Sequence, residues 1–164
     1  MAKKGKEQES AGPRTPRMVN RKARHEFHIV EVVEAGVELV GTEVKSLRAG
    51  QAKIDDGFVR VHRNEAFLVG VDIATYPNAA GLLQHEPKRQ RKLLLHHRQI
   101  EQLAGHTMEK GRTIVPLAMY FKRGWVKLEL GLVIGKKLYD KRQDLKKREA
   151  QRDMDRAMNR RRRD

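Results

Sequence analysis

The stretch from residue 113 to 134 constrains the fold more than any other part of the chain. Val115, Leu117, Met119 and Phe121 fall at every second position, Lys122-Arg123-Gly124 interrupts them, and Val126, Leu128, Leu130, Leu132 and Ile134 resume the same spacing. A period of two is the pleat of a β-strand, whereas a helix repeats every 3.6 residues. Two long antiparallel strands joined by a tight turn are therefore expected, each with one apolar face, and a sheet with a buried side must be built around them.

Further strands surround this hairpin. Phe27, Ile29, Val32 and Val33, then Val37, Leu39 and Val40, suggest two short strands around a bend at Glu34-Ala35-Gly36. Val59 and Val61 alternate with Phe58, Arg60 and His62; Asn64-Glu65 fits a hairpin turn; Phe67, Val69, Val71 and Ile73 should line one face. Between Gly41 and Gly50 a short helix is expected, with Thr42 as N-cap, Val44 and Leu47 on one side and Gly50 ending it. A polar connection covers residues 74–92, and Leu94, Ile100, Leu103 and Ala104 can share the buried side of a second helix, with Arg98 and Glu101 outward. The fold class is mainly β: a small antiparallel barrel whose edges need closing, plugged by two or three short helices.

Charge divides the chain differently. Its 164 residues carry 36 Lys+Arg and 21 Asp+Glu, a net charge of +15. Residues 1–24 hold +6, residues 135–164 hold +7, and the 110 between them only +2. Three regions follow: a disordered basic arm over 1–19, a barrel over 20–134, and a basic tail over 135–164. The tail has no proline or glycine after Gly135, and Ala150, Met154, Ala157 and Met158 make a thin stripe on one helical face. That stripe buries too little to hold a lone helix in water, so the tail is expected to be disordered when free and helical on a partner.

Several classes of function are disfavoured. Cysteine is absent, which removes disulfides, thiolate catalysis and cysteine-ligated metals. The longest apolar runs, 93–95 and 132–134, are far too short to cross a membrane, and the basic N-terminus lacks the apolar segment of a secretory signal, so a cytoplasmic protein is expected. The seven histidines form neither His-x-x-x-His nor His-Glu-x-x-His, and no metal or other cofactor is expected. Asp55-Asp56-Gly57 reads as a turn and Glu43 as a first-turn carboxylate facing the helix dipole. A nuclease using His25 or His96 with a neighbouring lysine would need a constellation that the sequence does not display.

Four basic segments remain: Asn20-Arg21-Lys22-Ala23-Arg24-His25-Glu26-Phe27, leading from the arm into the first strand; Lys45 and Arg48 on the first helix; Lys88-Arg89-Gln90-Arg91-Lys92; and Gly135-Lys136-Lys137-Leu138-Tyr139-Asp140-Lys141-Arg142. Each alone is an ordinary solvated surface. Together they flank strand ends and suit a polyanion, with arginine forks for phosphates and Asn, Gln and His for bases or 2′-hydroxyls.

The same segments, with Gly41-Thr42-Glu43-Val44-Lys45-Ser46-Leu47-Arg48-Ala49-Gly50 and Arg91-Lys92-Leu93-Leu94-Leu95, resemble the SmpB family, the SsrA-binding proteins of bacterial trans-translation, in the family's order from residue 20 to 164. The resemblance implies an OB-like barrel that binds the tRNA-like domain of tmRNA (SsrA RNA), with Asn20, Arg24, His25, Glu34, Lys45, Arg48, Arg91 and Leu94 at the contact. It also implies a tail that occupies the vacant mRNA channel of a stalled ribosome, with Lys136, Lys137, Tyr139, Asp140, Lys141 and Arg142 at the decoding centre beside 16S rRNA. Lys146, Lys147, Arg148 and Met154 would continue it downstream. Tyr139 stands where some relatives carry His. The implied protein is a non-enzymatic monomer that meets elongation factor Tu only through alanyl-tmRNA. A ribosomal protein or general translation factor of similar fold is the alternative. On sequence grounds alone Leu94 reads as core and Glu34 as a turn residue.

Overall fold

The structure, a computed structural model, describes residues 16–79, 81 and 84–161. Most of the arm expected over 1–19 lies outside the described residues, and the chain is already paired as strand at Met18. In order the elements are β1 (Met18–Val19), α1 (Arg21–Glu26), β2 (Phe27–Val37), α2 (Gly41–Arg48), β3 (Ala52–Lys53), β4 (Phe58–His62) and β5 (Glu65–Val69). There follow β6 (Asp72–Ile73), β7 (Arg91–Leu94), α3 (His97–Met108), β8 (Arg112–Lys122), β9 (Trp125–Gly135) and α4 (Leu138–Arg161).

The expected hairpin is the spine of the molecule. β8 and β9 pair antiparallel from Arg112↔Ile134 to Lys122↔Trp125. Arg123 and Gly124, at φ +50° and +83°, make the turn. Two successive positive φ values match the right-handed twist of the strands, as in a type I′ turn. The inner face of β9 carries Val126, Leu128, Leu130 and Leu132 into the main core. On β8 the expected single face is split. A bulge between Pro116 and Ala118 shifts the register, so Val115 and Leu117 pack with Ala23 of α1 outside the sheet while Met119 joins the main core. Proline cannot donate to the ladder, which is why the bulge sits there.

Seven strands form one antiparallel sheet in the order β1-β8-β9-β2-β7-β5-β4, and β3 pairs with β6 beside it. The sheet curls until β4 approaches β8 but does not close, so the OB-like architecture is an open barrel. β2 runs straight through the expected bend, following β9 from Phe27↔Gly135 to Gly36↔Lys127, and ends at Val37, so Leu39 and Val40 form no second strand. Gly36 marks a close approach, since a Cβ there would lie 3.1 Å from that of Leu94. The β4–β5 turn falls on Arg63 and Asn64, both at positive φ, one residue before the position expected from Asn64-Glu65. On β5 it is Ala66 and Leu68 that face inward, whereas Phe67 and Val69 face out. Gly70, at φ +77°, then resets the alternation, and Val71 and Ile73 are buried.

Leu47 of α2 and Leu103 of α3 complete the core. α2 is capped differently from expectation: the Val40 N–H, not a Thr42 hydroxyl, meets the first turn, donating to Glu43 Oε2 at 2.9 Å. Leu130 is fully buried, and Leu130→Ala is expected to lower stability by about 2–5 kcal/mol. This reads as a lower urea midpoint at unchanged slope. Met154→Ala, on exposed α4, should stay within about 0.5 kcal/mol of the parent.

Candidate nucleic-acid interface

The helix that carries Lys45 and Arg48 is held from below by a buried carboxylate. Glu43 is 0% exposed and accepts four hydrogen bonds: Arg89 Nε at 2.8 Å and Nη2 at 2.6 Å, Arg91 Nε at 2.8 Å, and the Val40 amide. Arg91 is also 0% exposed and donates to the carbonyls of Val71, Pro87 and Arg89. Arg91 is thus a brace between β7, α2 and the preceding connection, and its guanidinium does not face solvent where RNA could reach it. Arg91 was expected at the contact, and in this structure its side chain lies in the interior. Burial works to raise the Glu43 carboxyl, but the Arg89 bonds, the Val40 amide and Arg91 outweigh it and hold the group below its ordinary 4.5. His85 fastens the same region, with Nε2 3.0 Å from the Ile73 carbonyl and Nδ1 2.9 Å from Thr42 Oγ1.

Above this brace Lys45 and Arg48 are exposed, and each cation lies against a ring. Lys45 Nζ is 5.2 Å from the Tyr76 centroid and the Arg48 guanidinium 5.9 Å from that of Phe121. Such contacts limit the rotamers of long side chains before a partner arrives, which reduces the entropy lost on binding.

Glu34 and Leu94 meet at the same end of the barrel. Both line a groove of about 760 Å³ with Lys92, His96 and Lys127. Leu94 also lines a second groove, about 460 Å³, with Val44 and Trp125. Leu94 is 56% exposed, so it belongs to the surface rather than the core or a helix; strand β7 points Arg91 and Leu93 inward and Lys92 and Leu94 outward. Glu34 is not in a turn. It stands on the outer face of β2, where Tyr120 donates to Oε2 at 2.6 Å and Lys122 at 3.0 Å. The Tyr120 bond and then Lys122 hold its carboxyl below the ordinary value, while burial and that same bond push the Tyr120 phenol up to about 12. Glu34 is thereby kept ionised between a phenol and an ammonium group.

The remaining expected contacts lie elsewhere. Arg24 and His25 sit on α1 at the opposite end of β2, where the tail leaves the barrel. Lys136 Nζ donates to the Arg24 carbonyl at 3.3 Å, the Lys136 amide to Glu26 at 2.9 Å, and His28 stands 3.7 Å from Asp140. Nine residues separate Gly36 from Phe27 along β2, a span of about 30 Å. Asn20, 1% exposed, is a structural knot. Its Oδ1 accepts the Ala23 amide and caps α1, its Nδ2 donates to Pro116 at 3.0 Å, and its own amide donates to Leu117, so it takes up carbonyls at the β8 bulge. Asn20, like Arg91, is buried and holds neighbouring segments together.

The tail from Leu138 to Arg161 is a single helix whose described side chains from Arg142 onward are exposed, Lys146, Lys147, Arg148 and Met154 included. Lys137 is exposed just before it. The side chains of Tyr139, Lys141 and Ala157 lie outside the described residues. Sequence reasoning missed Tyr120, Lys122, Lys127 and Trp125 as surface groups; their outward alternation on β8 and β9 was the available signal. Among the described residues no three His, Asp or Glu side chains gather to hold a metal, and no helix is long and apolar enough to cross a membrane.

An open OB-like sheet with a braced cationic helix and two grooves at one end, and a long cationic helix rooted at the other, defines a nucleic-acid-binding β module. The model of the family described as SmpB protein matches residues 17–160. The SsrA-binding protein of Microcystis aeruginosa is 54% identical over 141 residues, covering 86% of this chain and 92% of the relative. That of Gloeobacter violaceus is 51% identical over 152 residues, covering 92% and 99%. A solved structure described as "tmRNA-SmpB: a journey to the center of the bacterial ribosome" aligns with a TM-score of 0.64 at 45% identity, covering 75% of this chain and 86% of that one. The chain belongs to the SmpB family.

Glu43→Gln should cost about 3–5 kcal/mol, because it leaves Arg91 buried beside a neutral amide. The Glu43 contribution is present above its ordinary value of 4.5 and is lost as pH falls through the depressed folded value. Chemical denaturation across acidic pH should therefore show the parent losing stability more steeply below about 4.5 than Glu43→Gln does.

Proposed function

We propose that this protein is an RNA-binding adaptor of trans-translation. The end of the barrel that carries Lys45, Arg48, Glu34 and Leu94 binds the tRNA-like domain of tmRNA, and α4, rooted at the other end, enters the vacant mRNA channel of a stalled ribosome. The observation that carries this reading is the separation of the two cationic surfaces by the length of β2. A module of this kind anchors on RNA with one end and probes an rRNA-lined space with the other. Lys136, Lys137, Asp140 and Arg142 stand at the start of α4, where the tail would pass the decoding centre, and Lys146, Lys147 and Arg148 extend the cationic run. With the +2 charge of residues 25–134, affinity at the barrel rests on a few placed side chains and on shape. The setting is cytoplasmic, and elongation factor Tu is reached through alanyl-tmRNA.

Removing residues 138–164 should leave affinity for tmRNA within about twofold of the parent while abolishing peptide tagging on stalled ribosomes in a reconstituted translation assay; equal loss of both would overturn the two-surface reading. Lys45→Ala or Arg48→Ala should reduce the magnitude of the log–log salt slope of tmRNA binding by about one, as expected for one lost phosphate contact. Glu34→Gln releases Lys122 from its carboxylate. Affinity for unrelated RNA should rise by about two- to fivefold, within the range of a surface ion pair, while the preference for tmRNA narrows.

A further inference from the structure

The outer faces of β4, β5 and β7 carry groups that the reading above does not use. Alternation turns Phe58, Arg60 and His62 outward on β4 and Phe67 outward on β5. The ladders set Arg60 opposite Phe67 and Phe67 opposite Lys92, so a half-buried phenyl ring lies between two cations on three adjacent strands. With neighbouring strands about 4.8 Å apart, the two cation-bearing positions stand about 10 Å from each other. A groove of about 560 Å³ is lined by Arg60, His62, Phe67 and Gln90.

Two of the chain's four phenylalanines are on this face, although the core is a few steps away. Phe58 is 37% exposed, and the Arg60 guanidinium lies 6.0 Å from its ring centroid. Glu65, the acid that β5 contributes here, is tied to Lys92, whereas Arg60 and Arg63 have no ion pair among the described residues. The groove lining combines the Phe67 ring, the Arg60 guanidinium without an ion pair, and an imidazole and an amide. Those groups match one unpaired nucleotide: a base to stack, a phosphate to pair, and base edges to hydrogen-bond. A duplex offers no free base face.

We infer that the Arg60–Phe67–Gln90 groove binds single-stranded RNA, stacking a base on Phe67. The inference deepens the RNA-binding reading above and relies on it for the source of the strand, an unpaired segment of tmRNA or of rRNA.

The test uses the full chain and a 12-nucleotide oligouridylate carrying 4-thiouridine, with a transcript of the tRNA-like domain as the second probe. Ultraviolet crosslinking should label the peptide containing Phe67. Phe67→Ala should weaken oligouridylate binding by at least about fivefold, the lower end of a lost base–aromatic stack, with Phe67→Trp retaining it. Arg60→Ala, at an exposed side chain, should weaken it as well and serves should Phe67→Ala fail to fold. Transcript affinity should change by less than about twofold. Crosslinks confined to α4, or oligouridylate binding unchanged in Arg60→Ala and in a folded Phe67→Ala, would overturn the inference. Loss of transcript binding in neither Lys45→Ala nor Arg48→Ala would instead count against the barrel-end reading. Crosslinking with thiolated tmRNA, free and on stalled ribosomes, identifies which RNA supplies the nucleotide.

Discussion

Glu43 is the point on which the α2 end of the barrel depends. A carboxylate removed from water is costly unless donors surround it, and here two arginines and an amide do so. Because those donors come from β7, from the connection before it and from the start of α2, one ionised group joins three parts of the chain. Greasy residues in its place could give equal stability, yet they would not fix the rotation of α2 about its axis. The four-bond geometry does, and with it the direction in which Lys45 and Arg48 point.

The spine of the fold was legible because Val126, Leu128, Leu130 and Leu132 alternate cleanly along β9. Residues 113–134 spell out a hairpin, and Gly41 and Gly50 bracket a helix. What was not legible has identifiable causes. β7 hides because its inward positions hold Arg91 and Leu93, so a buried arginine disguises the alternation as a basic loop followed by a leucine run. β2 was divided at Gly36, where the missing side chain serves contact with Leu94 rather than a turn. α1 buries one small residue, Ala23, and therefore has no apolar stripe to read. The shortest strands fall below any useful window. The candidate site was legible in part. Lys45 and Arg48 stand where a solvated helix face should put them, and Glu34 and Leu94 share a groove. Asn20 and Arg91 were recognisable by motif, but that both are buried shows only in the hydrogen-bond geometry.

The near balance of charge in the barrel acquires meaning from this arrangement. Its acids are placed rather than scattered: Glu34 beneath Tyr120 and Lys122, Glu43 in the core, Glu65 on Lys92, Asp56 on Lys22. Each offsets a neighbouring cation, which helps keep the net charge of residues 25–134 at +2.

β2 and β9 run side by side through the molecule, one edge of their ladder at α1 and the other at the groove. Hydrogen-bonded strands neither stretch nor compress, so this pair acts as a gauge block. The root of α4 is thereby presented at a set distance and bearing from the groove. Inserting a single residue in one strand would open a bulge like the one the ladder already carries between Ile29 and Glu31, bending the strand and disturbing the alternation around it. Adjusting the reach of the tail is therefore far easier in the short segment between Gly135 and Leu138 than anywhere in the sheet.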